Sequence, residues 1–274
     1  MTDAIAATER APQPPVLLET SPEGVATVRL NRPDAMNALD VATKELLLQT
    51  LRAVAEDPGV RCVVLTGTGR AFCVGQDLRE HVGLLQEGSD ELFRTVPEHY
   101  NPIVELIATM PKPVIAALNG VAAGAGAAFA FAADFRVMAQ EAGMNLAFAG
   151  IALSCDSGSS WSLPRLVGPA KAKELLLLPR TVPAQECLEL GLATRVVPAA
   201  DLDSEVEDLA TQLAAGPTLA YGCIRRAIAH SAGVPLAAAL AREGEYMALT
   251  GDSADHHAAV DAFLAKEKPV FTGR

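Results

Sequence analysis

Two kinds of hydrophobic pattern alternate along the first half of the chain. Short apolar runs rich in β-branched residues predict strands at 16–20, 25–30, 62–66, 114–118 and 134–139. Apolar residues at helical spacing predict a helix from about residue 40 to Asp57-Pro-Gly59, and further helices at 103–110 and 125–133. Because helices separate most of these strands, we expect parallel crossover connections and an α/β core.

The pattern changes after Leu163, where alanine-rich amphipathic segments follow one another to the end of the sequence. They predict helices at 169–178, 183–190, 202–214, 218–230, 236–249 and 254–265. One face of these helices is too apolar to face water alone, so we expect burial against the core or a neighbouring subunit. The chain is therefore predicted to consist of a disordered leader at 1–15, a core at 16–195 and a helical region at 196–274.

Composition narrows the class of protein. Of 274 residues, 50% are hydrophobic and only 4% aromatic, so alanine, valine and leucine must fill the core of one large domain with at most a small appendage. A net charge of −11 argues against general binding of nucleic acid or of anionic membranes. Five cysteines without C-x-x-C spacing favour a reducing cytoplasm over disulfides or a zinc site, and the five histidines form no metal pattern. The N-terminus has neither a basic start nor an apolar stretch, so no signal peptide is predicted.

The run from Val114 to Ala133 is uncharged, and Asn119 is its only strongly polar residue. It predicts a buried strand, a turn containing three glycines and a buried alanine-rich helix. Free N–H groups at the start of such a helix favour a small negative charge. Tight packing of small residues explains the same pattern, so an anion site and a plain core helix both stay open. The dominance of alanine and glycine argues against a membrane span.

Two further segments carry candidate chemistry. Arg70–Leu78 follows a strand where ligand-binding loops often lie in parallel sheets, and Gly75 would let the N–H of Gln76 face outward, although a tight turn explains Gly75 equally well. The polar stretch 75–100 has weak periodicity and is typical of a mobile lid. Asp156 lies in a stretch almost free of other charges, either as a helix cap or as a functional carboxylate. The serines beside it do not form G-x-S-x-G, which disfavours a hydrolase nucleophile elbow.

Six segments occur together in one order: LNRPDAMNAL at 30–39, VVLTGTGRAFCVGQDL at 63–78, PKPVIAALNGVAAGAGAAFAFAADFRV at 111–137, GSSWSLPRLVG at 158–168, LGLATRVVP at 190–198 and FLAKEKPVFTG at 263–273. Together they resemble the crotonase (enoyl-CoA hydratase/isomerase) superfamily. They cover nearly all of the chain beyond about residue 16, and their joint order makes the resemblance specific. The string CDSGSSWSLPR, which begins at Cys155, is similar to the 2-(1,2-epoxy)phenylacetyl-CoA isomerase-like members.

The resemblance implies a spiral of ββα units whose C-terminal helices assemble homotrimers or dimers of trimers. It also implies an acyl-CoA thioester as substrate, with coenzyme A as part of that substrate and neither a separate cofactor nor a metal. The thioester oxygen would lie between two backbone N–H groups, by position those of Gln76 and Ala125, which would stabilise an enolate. The two glutamates of the family's hydratases fall at Ala128 and Phe148. Ordinary hydration is therefore not expected, and these two residues would make the acyl pocket drier.

Asp156 falls where isomerase branches of the family keep an acid, and where the 4-chlorobenzoyl-CoA dehalogenase branch has its nucleophile. The resemblance thus implies an acyl-CoA double-bond isomerase in which Asp156 moves a proton between two carbons. Three alternatives stay open: an enoyl-CoA hydratase, a dehalogenase or thioesterase with an aspartate nucleophile, and a non-catalytic acyl-CoA-binding subunit.

The resemblance also points to residues along the path of coenzyme A and the acyl group. These are Ala35, Val74, Gly75, Asp77, Leu78, Arg79, Gly124, Ala128 and Phe148. Arg79 is a candidate phosphate partner, as are Lys266 and Lys268, the latter two within reach of a neighbouring subunit's substrate. A solvated surface charge is the other interpretation of all three.

Overall fold

The computed structural model describes residues 13–89 and 92–274, so the expected leader lies almost entirely outside the described residues. The strands are β1 (Val16–Thr20), β2 (Val25–Leu30), β3 (Cys62–Gly67), β4 (Ala71–Cys73), β5 (Val114–Leu118), β6 (Val121–Ala123), β7 (Phe135–Ala139), β8 (Gly143–Asn145), β9 (Thr181–Pro183) and β10 (Arg195–Val197). The helices are α1 (Val41–Glu56), α2 (Leu78–Gln86), α3 (Asn101–Thr109), α4 (Ala125–Ala132), α5 (Ser159–Leu177), α6 (Ala184–Glu189), α7 (Leu202–Ala214), α8 (Thr218–Ser231), α9 (Leu236–Gly251) and α10 (Ala254–Ala265).

The strands form two sheets. The larger sheet has the order β1-β2-β3-β5-β7-β10, and the smaller one has the order β4-β6-β8-β9. Pairing is parallel except for the β1–β2 hairpin and the β8–β9 pair. Three successive strand pairs repeat one pattern: β3/β4, β5/β6 and β7/β8. In each pair the first strand joins the larger sheet and the second joins the smaller sheet, and a helix follows. This repetition confirms the expected spiral of ββα units with a C-terminal helical region.

The long elements agree with the sequence patterns, because each carries enough residues to show its period. β5 is buried along its whole length, as its uniform apolar run predicts. Helix α1 begins where expected because the Asp40 carboxylate accepts a hydrogen bond of 2.8 Å from the N–H of Thr43. Gly168, with φ +77°, interrupts α5, and the segment that follows it is close to the helix predicted at 169–178.

The four strands of the smaller sheet were not predicted from the sequence. β4, β6, β8 and β9 have three residues each, which is too few to show an alternating pattern. A single glycine-rich turn was expected between β5 and α4. The structure instead has the short strand β6 there, with one turn before it and one after it. The polar stretch 75–100 contains α2, and a π-type turn at Val96–Tyr100 leads into α3. Residues 90 and 91 lie outside the described residues.

Glycines allow successive units of the spiral to touch through their backbones. A Cβ atom on Gly126, in the first turn of α4, would lie 2.2 Å from the carbonyl oxygen of Cys73 at the end of β4. A Cβ atom on Gly120 would lie 2.0 Å from the carbonyl oxygen of Arg70. Real Cβ atoms do not approach backbone oxygens so closely, so these contacts require glycine.

The C-terminal helices are fastened to the core by a buried cation. The guanidinium of Arg225 on α8 donates to the carbonyl oxygens of Ile107, Met110 and Lys112, and to Asp134 Oδ1 at 2.7 Å. The carbonyls at the end of α3 lack partners within their own helix, so Arg225 satisfies groups that burial would otherwise leave unpaired.

The boundary expected at 195/196 falls inside β10, which pairs with β7, and α7 also packs on the larger sheet. Beyond α7, helices α8, α9 and α10 expose large apolar side chains, among them Ile228, Leu236, Met247 and Phe263. This is the region that the resemblance assigns to subunit assembly, and the homotrimer stays a prediction. No helix within residues 13–89 and 92–274 has both the length and the apolar character needed to cross a bilayer.

Substituting Gly126→Ala tests the backbone contact between units. The added methyl group must displace either β4 or the start of α4, so we expect the free energy of unfolding to fall by about 1–3 kcal/mol. The matched control is Gly83→Ala within α2, where a Cβ atom would meet nothing within 4 Å. That change is expected to stabilise the protein by about 0.5–1 kcal/mol through helix propensity. Chemical denaturation measures both variants, and equal effects would contradict the close contact.

Candidate functional site

A cavity of about 650 Å³ opens where the loop after β4, the start of α2 and the start of α4 meet. It brings together most of the residues singled out from the sequence. Those that line it are Ala35, Val74, Gln76, Asp77, Leu78, Arg79, Gly124, Ala125, Phe148 and Asp156. Residues from four distant parts of the chain therefore share one volume, which is the arrangement of a ligand-binding site.

The backbone of Gln76 is oriented by a parallel bridge to Leu39. The N–H of Leu39 donates to the carbonyl of Gly75 at 2.8 Å, and the N–H of Asp77 donates to the carbonyl of Leu39 at 3.1 Å. Because Leu39 bonds the residues on either side of Gln76, the N–H of Gln76 itself points to the opposite side. Among the described residues it has no hydrogen-bond acceptor.

The N–H of Ala125 is the second free donor at this cavity. Ala125 is the first residue of α4, and the preceding Gly124 has φ +52° and ψ −123° with no side chain to cap the helix. Within the described part of the chain no acceptor bonds this N–H, which follows from its place in the first helical turn. The positive end of the helix dipole lies at the same point.

Gly75 brings these two donors close together. Its φ is +82°, and a Cβ atom there would lie 2.9 Å from the carbonyl oxygen of Ala123 and 3.3 Å from the nitrogen of Ala125. A side chain at this position would push the two backbone segments apart. Gly75 does not line the cavity, and its contribution is this close approach.

Asp156 reaches the cavity from the turn that precedes α5. The turn contains two consecutive residues with left-handed backbone, Ser157 at φ +52° and Gly158 at φ +72°. The Ser157 hydroxyl donates to Asp156 Oδ1 at 2.8 Å. Burial raises the pKa of Asp156 above its ordinary value, and this hydrogen bond offsets only part of the rise.

The helix-cap interpretation of Asp156 is wrong. The residue at the cap position of α5 is Gly158, and no side chain donates or accepts a capping hydrogen bond there. The N–H of Ser159 bonds the backbone carbonyl of Asp156 rather than its carboxylate. The carboxylate is therefore not needed to start the helix.

Asp77 lines the cavity, and its carboxylate already has partners within the protein. Its carboxylate caps α2 by accepting from the N–H of Arg79 at 3.0 Å, and it pairs with Arg32 Nη2 at 3.0 Å. Burial opposes ionisation of Asp77, but the hydrogen bonds from Arg32 and from the Arg79 N–H outweigh it and lower the pKa. Arg32 also pairs with Asp40 at 3.0 Å, so it holds the start of α1 and of α2 together.

The remaining predicted residues differ in their exposure to the cavity. Phe148 is buried in its wall, whereas Ala128 lies inside α4 and does not reach the lining. Lys266 and Lys268 follow α10 and do not line the cavity in this chain.

Arg79 and Arg70 line the cavity and are exposed to solvent, and neither forms an ion pair with any carboxylate in the described residues.

Sequence patterns missed Tyr100, which lines the cavity and is only 2% exposed. Its hydroxyl donates to Gln76 Oε1. Burial raises the pKa of Tyr100, and the Asp156 carboxylate adds to the rise, so the phenol stays protonated. An aromatic residue at the end of a polar stretch was the available signal, but nothing local connected it with Gln76. Arg32 and Arg70 lay inside the quoted motifs and were likewise not singled out.

Comparison with known proteins identifies the family of the chain. The sequence family described as enoyl-CoA hydratase/isomerase matches residues 20–274. The chain belongs to the enoyl-CoA hydratase/isomerase family. Similar proteins include the 1,2-epoxyphenylacetyl-CoA isomerase of Escherichia coli (strain K12), which is 40% identical over 92% of this chain and 96% of its own length.

Two other relatives carry hydratase names. A Rhodobacter capsulatus protein named "probable enoyl-CoA hydratase" is 41% identical over 92% of this chain and 96% of its own length. The crystal structure of an enoyl-CoA hydratase from Bacillus anthracis superposes with a TM-score of 0.89 at 32% identity, covering 95% of this chain and all of that one. The chain is thus an enzyme of this family, whose members include both isomerases and hydratases by name.

Substituting Asp156→Asn tests the cost of burying the carboxylate. Because the folded protein binds the proton of Asp156 more tightly than the unfolded chain, ionisation at neutral pH lowers stability. We expect Asp156→Asn to raise Tm at pH 7. The difference should shrink as the pH falls toward about 4, where the unfolded chain also becomes protonated.

The control for this experiment is Asp208→Asn on the exposed side of α7, which is expected to leave Tm nearly unchanged. Thermal unfolding of both variants between acidic and neutral pH gives the comparison. A lower Tm for Asp156→Asn at pH 7 would show that the ionised carboxylate stabilises the fold, as a helix cap would, and would contradict the buried-acid interpretation.

Proposed function

We propose that this enzyme isomerises a carbon–carbon double bond in an acyl-CoA thioester. Asp156 acts as the single acid and base, and the N–H groups of Gln76 and Ala125 bind the thioester oxygen. One observation carries the proposal: the half-buried carboxylate of Asp156 and the two free N–H groups border the same cavity. A proton-transfer group and an anion-binding pair are the two parts that enolate chemistry requires.

Asp156 is the carboxylate of the lining best suited to proton transfer. Among the described residues of the lining there are two other carboxylates, and both have other surroundings. Asp34 is exposed at the rim, whereas Asp77 is held by Arg32 and by its capping hydrogen bond. Burial, which raises the pKa of Asp156, moves it toward the range in which a carboxyl group both accepts and returns a proton near neutral pH.

The reaction proceeds in two proton transfers. The Asp156 carboxylate removes a proton from an acyl carbon that is allylic or conjugated to the thioester. The electrons of the broken C–H bond move through the chain to the thioester oxygen, which becomes an enolate held by the two N–H groups. The carboxylic acid formed at Asp156, whose proton exchanges with solvent, then donates a proton to a different carbon, the electrons flow back, and the double bond has shifted.

Isomerisation is favoured over hydration by the residues at two positions that carry glutamates in the family's hydratases. The positions at which the resemblance places the hydratase glutamates hold Ala128, buried in α4, and Phe148 in the cavity wall. Neither side chain can orient water or transfer a proton, and Phe148 keeps this part of the cavity apolar. The name of the E. coli relative, an isomerase, supports the same choice.

Substituting Asp156→Asn should abolish isomerisation. Removing a general acid–base group typically costs about 10²–10⁴ in rate, and we expect kcat for a 3-enoyl-CoA substrate to fall in that range with KM little changed. The assay panel also includes a phenylacetyl-type acyl group, because of the E. coli relative's name. The matched control is Cys155→Ser, a neighbour outside the cavity lining, which should retain activity.

The same assays separate the alternatives. In deuterium oxide the wild-type enzyme should place deuterium on the recovered acyl group, and Asp156→Asn should not. Robust hydration of a 2-enoyl-CoA that survives Asp156→Asn would overturn the isomerase proposal. A covalent adduct on Asp156, detected by mass spectrometry, would instead identify it as a nucleophile.

The exposed arginines at the rim, Arg70 and Arg79, are the proposed partners of the phosphates of coenzyme A. Substituting Arg79→Gln is expected to raise KM for an acyl-CoA by about 3- to 10-fold with kcat unchanged, since it removes attraction without touching the reacting atoms. The difference should diminish at high salt. Steady-state kinetics test this against Arg52→Gln, an exposed arginine of α1 outside the cavity. Equal KM values for the two variants would exclude Arg79 as a phosphate partner.

A further inference from the structure

The side chain of Gln76 is enclosed by a network that uses its full hydrogen-bonding capacity. Its Oε1 accepts from Lys44 Nζ at 3.2 Å and from the Tyr100 hydroxyl. Its Nε2 donates to Glu80 Oε1 at 3.0 Å and to the carbonyl of Asp77 at 3.4 Å. An amide has two acceptor and two donor sites, so all four are occupied. The residue that carries one of the two free N–H groups is thereby held by its side chain.

Lys44 is the most buried member of this network, with 1% of the residue exposed. Its ammonium group lies 3.1 Å from Glu80 Oε1 and 5.7 Å from the centre of the Tyr100 ring. The other carboxylate oxygen of Glu80 accepts from the N–H of Val41, at the start of α1, at 2.8 Å. The network thus joins α1, α2 and the start of α3 around Gln76.

An ion pair of this kind, with Lys44 buried and Glu80 partly buried, is a poor source of stability. Removing an ammonium and a carboxylate from water costs several kcal/mol, and apolar residues of the same volume often stabilise a protein as well or better. Unlike apolar contacts, however, the hydrogen bonds of the pair are directional, and they fix the orientation of the group that they bind. Here that orientation is imposed on Gln76, whose peptide planes are also restrained by Leu39 and by the turn at Gly75.

We propose that Lys44 and Glu80 are positioning residues that hold the Gln76 N–H in the orientation required to bind the thioester oxygen. The inference rests on the proposed function of that N–H group. The network specifies glutamine at position 76, because two donors face its oxygen and a carboxylate faces its NH₂ group. Neither Lys44 nor Glu80 lines the cavity, and both contact Gln76, which does, so they are positioning residues rather than catalytic ones.

A reciprocal exchange of side chains tests this pairing. Gln76→Glu replaces the NH₂ group by an oxygen that faces the Glu80 carboxylate, and Glu80→Gln removes the anion that pairs with Lys44. The double variant Gln76→Glu/Glu80→Gln keeps one carboxylate, one amide and one ammonium, and it again pairs an NH₂ donor with a carboxylate acceptor across the contact between positions 76 and 80. We expect each single variant to be impaired and the double variant to recover most of the loss.

The expected effect is on turnover rather than on substrate binding. A displacement of about 1 Å can cost about 100-fold in rate, so kcat should fall about 10- to 100-fold in Gln76→Glu and in Lys44→Met, with KM changed less than about threefold. A proportional rise of KM with constant kcat would overturn the inference, as would equal kcat values in the single and double exchange variants.

Lys112→Met is the matched control for loss of a buried lysine. Lys112 is 3% exposed, and its ammonium donates to the carbonyls of Val54 at 2.8 Å and of Asp57 at 2.7 Å, away from the cavity. Its loss should lower Tm while kcat of the folded enzyme stays unchanged. If Lys112→Met and Lys44→Met reduce kcat equally, the role of Lys44 is that of any buried cation and the inference fails.

A spectroscopic measurement separates this inference from the reaction itself. Infrared difference spectra with a ¹³C-labelled thioester carbonyl report polarisation of the bound oxygen without turnover. The wild-type enzyme should shift this stretch to lower wavenumber, Gln76→Glu and Lys44→Met should reduce the shift, and the double exchange should restore it. An unchanged shift in the single variants overturns the positioning role alone. A wild-type enzyme without any shift overturns both that role and the proposed donor pair.

Discussion

The close backbone contact between two successive units of the spiral is the constraint on which the site depends. The turn at Gly75 lies against Ala123 and Ala125, and Gly126 lies against the end of β4. These contacts leave no room for a Cβ atom, and they bring a free N–H from each unit to the border of one cavity. Two backbone donors placed in this way need no reorganisation when negative charge develops, which is the condition for effective electrostatic stabilisation.

Charged groups around the cavity form two groups: those paired with an opposite charge, and those exposed to solvent. Arg32 with Asp77, and Lys44 with Glu80, are paired in or near the interior and fix the loops that carry Gln76. Arg70 and Arg79 stay exposed at the rim, where a charged ligand can reach them. Asp156 belongs to neither group, because burial raises its pKa and no cation of the described residues 13–89 and 92–274 offsets this rise. An unpaired, partly buried carboxylate lowers stability, and such a cost is typical of a functional group rather than of a structural one.

Much of the fold was predictable because its long elements carry their own signals. The fully buried run of β5, the capped start of α1 and the amphipathic helices α7 to α10 each follow from residues that are neighbours in sequence. The smaller sheet was not predictable from local patterns, because its strands have three residues each and take their stability from pairing with strands of other units. Helix α2 was not assigned because the polar stretch that contains it shows only weak periodicity, and its capping residue Asp77 is named by the resemblance as a ligand contact.

The site shows the same division between local signals and tertiary contacts. The sequence by itself pointed to candidate residues: the glycine-rich start of α4, Gln76 after Gly75, an isolated acid at Asp156 and, through the family resemblance, Ala128 and Phe148 at the positions of the hydratase glutamates. Only the tertiary structure decided how these groups meet, that Asp77 is paired with Arg32 and that Tyr100 and Lys44 enclose Gln76. The physical reason is that residue type limits the chemistry a group can perform. The protonation state of a group, its unoccupied hydrogen-bonding sites and its orientation depend on burial and on partners that are far away in sequence.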